Sequence, residues 1–103
     1  MKIETIQIQI LKPHPENYNS HPEDQISHLK ESIKANGIYR NIVISSDDFI
    51  LCGHGVVEAM KQLEIQEAPI IRVPFLHSDL RAKKLLIGDN EISGISSFFY
   101  FSN

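Results

Sequence analysis

Tryptophan is absent from the 103 residues, and cysteine occurs once, as Cys52. A single thiol excludes an intrachain disulfide, so the apolar core must hold the fold, and a cytoplasmic location fits this usage best. No apolar run approaches the ~20 residues that a membrane-spanning helix needs. The start, Met1 to Thr5, places Glu4 among alternating polar and apolar residues and lacks the apolar stretch of a secretory leader. No membrane partner is expected.

Positive charge is scarce as well: ten Lys and Arg stand against thirteen Asp and Glu, a formal net charge of −3. A domain that grips nucleic acid alone needs a basic face to displace counterions, so autonomous sequence-specific DNA binding is not expected. Arg72, Arg81, Lys83 and Lys84 form the densest basic group, and the last three read as the solvated side of a helix. Zinc spacing is missing too. The five histidines, at 14, 21, 28, 54 and 77, show no HxxxH pair.

What is present is the composition of one globular domain, 42% hydrophobic and 22% charged. Ile6, Ile8 and Ile10 alternate with Gln7 and Gln9, which predicts a strand over residues 4–11. Pro13, Pro15, Asn17 and Asn19 then make residues 12–20 a loop. Pro22 suits a first helical position, and Ile26, Leu29 and Ile33 keep helical spacing up to Asn36-Gly37, which predicts a helix over residues 22–35. Ile42, Val43 and Ile44, followed by Asp47-Asp48 and Phe49, read as a hairpin.

The hairpin's second arm runs into Gly53-His54-Gly55, and Val56, Ala59, Met60 and Leu63 repeat at helical spacing, predicting a helix over residues 55–63. A strand over residues 69–73 completes a βαβ-like unit. Ser78 is placed to cap a third helix with the stripe Ala82, Leu85 and Leu86, ending near Gly88-Asp89-Asn90. The expected architecture is a small mixed α/β domain, a short mixed sheet with about three helices. The tail carries Phe98, Phe99, Tyr100 and Phe101 in succession. So much aromatic surface packs back, pairs with a second copy to form a homo-oligomer, or continues into a further region.

The chemistry concentrates at Gly53-His54-Gly55. A strand that breaks at glycines and restarts as a helix points backbone N–H groups outward, where the helix dipole favours a phosphate or carboxylate. The plainer reading is a tight strand-to-helix connection. His54 has three readings: a ligand to phosphate, a helix cap, or a proton carrier. Asp at the end of a helix opposes the dipole, so Asp89 calls for a local reason, either a magnesium ion shared with phosphates or a simple Asp-Asn turn. Glu58 lies off the apolar stripe and is expected to be solvated.

The order of these elements, with His14-Pro15-Glu16-Asn17-Tyr18, Gln25, Ser32-Ile33, Gly37, Ile50 to Gly55, Glu58-Ala59, Pro69 and Asp89-Asn90, resembles the ParB N-terminal/sulfiredoxin-like domain of the ParB-like nuclease superfamily. The likeness covers residues 6–95, leaving residues 96–103 as the aromatic tail of a domain spanning 1–95. It is most similar to the form that precedes DNA methyltransferase domains. The resemblance implies a nucleotide- or phosphate-binding module in DNA modification or segregation, taking a nucleoside di- or triphosphate with magnesium. It implies ligand contacts at Gly53, His54, Gly55, Asn17, His21 and Asn90, with Asp89 at the metal and His54 and Asp89 as the groups for any catalysis. A DNA-modifying or DNA-binding protein domain is the implied macromolecular partner.

Departures from the family pattern shape this expectation. Partition proteins carry an acid and several arginines where this chain has His54 to Glu58, and the methyltransferase-linked form usually has arginine where Val56 stands. Arginine grips phosphate oxygens in bidentate fashion, so a turn without it binds weakly. Sulfiredoxins place their catalytic cysteine where His54 stands, and Cys52 is expected to be a small core residue. Two other classes stay open: an interaction or dimerisation module without catalysis, and a magnesium-dependent nuclease or phosphotransferase.

Overall fold

The computed structural model describes residues 3–17, 22–37 and 42–89. In chain order these form β1 (Ile3–Gln7), a single 3-10 turn (Ile8–Ile10), β2 (Lys12–Pro13), α1 (Glu23–Asn36), β3 (Ile42–Ile44), β4 (Phe49–Cys52), α2 (His54–Gln62) and β5 (Glu67–Arg72). A third helix, α3, covers residues 80–89. The strands make one mixed sheet in the order β1-β5-β3-β4-β2, so the expected fold class is the one observed.

Several boundaries differ from the pattern, β5 among them, which runs Glu67–Arg72 against the expected 69–73. The strand expected over residues 4–11 stops at Gln7, because the chain tightens into a turn in which Leu11 N–H donates to Ile8 O at 3.0 Å. Strict alternation would bury Ile8 with Ile10. The turn instead buries Ile8 and Leu11 and leaves Ile10 45% exposed. Residues 12–13, expected as loop, form an edge strand parallel to β4, with Lys12 opposite Phe49 and Pro13 opposite Ile50. An edge is where proline's missing donor does least harm.

The segments flanking α2 are not a βαβ unit. β4 and β5 are separated by β3, to which β4 is antiparallel and β5 parallel, so the parallel crossover runs from β3 to β5 and contains β4 and α2 together. β1 closes the far edge, antiparallel to β5. Side chains on one sheet face, Ile42, Ile44, Ile50 and Ile70, pack with Val56, Val57 and Met60 of α2 and with Leu29 and Ile33 of α1. The opposite face carries Val43, Leu51 and Val73 against Ala82 of α3.

The helix ends follow local chemistry. Pro22 sits at the N-cap of α1, one position before its expected place, and Gly37 closes the helix at φ 76°, donating its N–H to Ile33 O at 2.9 Å. Asp79, and not Ser78, caps α3: its Oδ1 accepts from Arg81 N–H at 2.8 Å, as a side chain two residues ahead of that amide is placed to do. The Arg81 guanidinium, paired with both oxygens, holds the Asp79 carboxyl at about 2. At the hairpin, Arg72 joins Asp48 at 2.6 Å and Glu4 at 3.3 Å, fastening the end of β5 to the β3–β4 turn and to β1.

Candidate functional site

The turn between β4 and α2 is built by Gly53, whose φ of 94° lies in the left-handed region that side chains strain to adopt. That conformation reverses the chain within one residue, so α2 begins at His54, one residue ahead of the expected start. Helical geometry gives the first-turn amides no acceptor within α2, and the helix dipole places partial positive charge there. His54, Gly55, Val56 and Val57 are all buried, which fixes the turn rigidly against the sheet.

His54 is held by its Nε2, which accepts the backbone N–H of His14 at 3.2 Å. An accepting Nε2 puts the neutral ring's proton on Nδ1. The loop after β2 thus reaches the turn through the backbone of His14, the residue that follows Pro13. His14, 3% exposed, is itself fully committed: its Nδ1 accepts Glu16 N–H at 3.0 Å, and its Nε2 donates to His77 O at 3.0 Å. Asn17 follows in the same loop, its N–H donating to His14 O at 3.0 Å. His21 and Asn90, both expected at the ligand, lie outside the described residues.

Asp89 reaches this turn from the far side. Its Oδ2 accepts Gly53 N–H at 3.3 Å, across 36 residues of sequence. Cys52, the residue before Gly53, is half-buried, with its Sγ 4.0 Å from Leu85 O. Burial, with the Asp89 charge adding to it, pushes the Cys52 thiol up to about 12. A thiol so disfavoured as thiolate is no nucleophile, while the expected core position is not met, since Cys52 is only half-buried. Glu58 is exposed, as expected, and pairs along α2 with Gln62.

A second polar cluster went unread in the sequence. His77 stacks on Phe49 with ring centroids 3.9 Å apart, and its Nδ1 hydrogen-bonds the Asp47 carboxylate, which also accepts His77 N–H at 3.0 Å. Burial alone would raise the Asp47 carboxyl, but hydrogen bonds from the Ser45 hydroxyl and from the ring and backbone of His77 outweigh it and hold the group far below the usual carboxylate range. No spacing rule links residues 14, 47, 54 and 77; only the folded sheet brings them together. Among the described residues, no group of three or more His, Cys, Asp or Glu is arranged to hold a metal ion, and no helix is long and apolar enough to cross a membrane. Among the described residues, Lys83 pairs with Glu16 at 3.5 Å, Arg81 with Asp79, and the Lys12 ammonium lies 4.7 Å from the centre of the Phe49 ring.

No protein-family model matches the chain. It is 34% identical over 71 residues to the ParB-like nuclease domain-containing protein YnaK of Escherichia coli (strain K12), an alignment covering 69% of this chain and 82% of that protein. Among solved structures it resembles the C-terminally truncated chromosome-partitioning protein ParB from Caulobacter crescentus complexed with CTP-γ-S, with a TM-score of 0.73 at 21% identity over 93% of this chain. A pNOB8-like ParB N-domain gives 0.71 at 19% identity over 82% of this chain. The chain spans 54% and 35% of those two solved chains, respectively.

Proposed function

The chain belongs to the ParB-like domain family, and from that premise we propose that it is a nucleotide-phosphate-binding module, with its phosphate cradle at Gly53-His54-Gly55. The observation that carries this reading is the left-handed Gly53 at the start of α2, whose buried first turn presents its amides at the end of a strand. The structural relative from Caulobacter crescentus is complexed with CTP-γ-S, so a cytidine triphosphate is the first ligand to try.

In this reading the chain's own residues bind and orient. The turn amides take phosphate oxygens, and the bond from His14 to His54 Nε2 leaves Nδ1–H as the ring's donor. Asp89 is the nearby carboxylate that would share a magnesium ion with those oxygens, since magnesium is usually held by one or two carboxylates plus phosphates. No arginine in the turn adds a bidentate grip, so the affinity is modest. The setting is DNA modification or segregation, with a DNA-modifying or DNA-binding domain as partner.

Thermal-shift measurements on the full chain with CTP, ATP, ADP and GTP, with and without magnesium, test this. A ligand at a hundred times its Kd stabilises by about 2.7 kcal/mol. Binding at the turn predicts a rise in melting temperature that His54→Ala diminishes. No rise with any nucleotide at millimolar concentration would reject the reading.

A further inference from the structure

The anion position of the turn has an internal occupant. α3 lies across the end of β4 with Ala82 and Leu86 buried and Leu85 O facing Cys52 Sγ. One turn further on, at residue 89, the helix delivers a carboxylate to the Gly53 amide at 3.3 Å. From that position the Asp89 charge adds to the burial that raises the Cys52 thiol. A carboxylate at a helix N-terminus makes the interaction a phosphate oxygen would make: it accepts amide hydrogen bonds and opposes the positive end of the dipole.

We infer that Asp89 is a built-in competitor for the phosphate cradle, so that an incoming phosphate binds by displacing this side chain from Gly53. The inference rests on the cradle reading above and adds its regulation. Displacement is local. Leu86, 2% exposed, anchors α3 upstream, and a Cβ placed on Gly88 would meet nothing within 4 Å. Cradle occupancy is thereby coupled to the end of α3. A divalent cation bridging Asp89 and phosphate would turn the same carboxylate from competitor into ligand, so the two roles separate in magnesium-free buffer.

Isothermal titration calorimetry of the full chain with inorganic pyrophosphate, without divalent cations, provides the test, using Asp89→Asn as the isosteric variant without the charge. The expected result is about tenfold tighter binding by the variant, equivalent to ~1.4 kcal/mol. In parallel, pyrophosphate should increase hydrogen exchange over residues 86–89 in the unsubstituted chain. Equal affinities would overturn the competition while leaving the cradle intact. Weaker binding by the variant would also overturn it, making Asp89 a contributor to binding. Absence of binding by both folded proteins would overturn the cradle itself and the competition with it.

Discussion

The backbone N–H of His14 donates to the Nε2 of His54 at 3.2 Å, joining the end of the shortest strand to the first residue of α2. Neither residue is on the surface, so the bond is made where water cannot replace it.

His54→Ala should therefore leave the His14 amide without its acceptor inside the protein. The cost expected is about 1–3 kcal/mol in urea unfolding. A loss under about 0.5 kcal/mol, the range of neutral surface changes, would mean that the bond does not hold the turn.

Gly53→Ala asks an L-residue to adopt a φ of 94°. We expect about 1–2 kcal/mol of destabilisation from backbone strain, with phosphate binding impaired as the turn relaxes toward another conformation. Unchanged stability and binding would show that the turn does not depend on this backbone state.

The Asp47 carboxyl is held far below its ordinary value by Ser45 and His77. A group with a depressed folded-state pKa stabilises fully above its unfolded value of about 3.9, and this contribution drains away as pH falls through that value toward the folded one. Asp47→Asn should thus be less stable than the natural chain by about 1–3 kcal/mol at pH 6. The two stability curves should approach each other below about pH 4, converging as the folded carboxyl protonates. Parallel curves from pH 6 to pH 2 would contradict the assignment. Because Asp79 is depressed in both proteins, their difference isolates Asp47.

Cys52, with its thiol pushed up to about 12, should react with a disulfide reagent at pH 8 on the order of a thousandfold more slowly than a free thiol. Asp89→Asn should speed the reaction, because it removes the charge that adds to burial in disfavouring the thiolate. Reaction at the rate of an exposed cysteine would place the thiol in water.

Much of the fold was legible because periodicity reports burial directly. The triplet Ile42 to Ile44, the α1 stripe and the α2 stripe each fell on the elements they form, and Gly37 ended its helix as glycine does. The misreadings came from choices that sequence leaves degenerate. Ile8, Ile10 and Leu11 satisfy an alternating strand, and only the core decides that Ile8 and Leu11 point inward together. Lys12-Pro13 carries no strand signal, since a two-residue edge is defined by its neighbour Phe49-Ile50. Ser78 and Asp79 are equally good caps by residue type, and the position of Arg81 selects Asp79. At the site, Gly53-His54-Gly55 stood out because glycine leaves a local mark. His14, Asp47 and His77 did not, because their pairings join segments up to 63 residues apart.

The His14 residue has a consequence for how the protein comes apart. Through its ring and backbone it is bonded to the turn at 54 and the segment at 77, 40 and 63 residues away in the chain, as well as to its own loop at 16. The bonds to 54 and 77 cannot persist in an isolated hairpin or helix. A partly folded chain therefore holds no partial version of the site. The site appears and vanishes with the whole domain, so its integrity serves as a gauge of global folding.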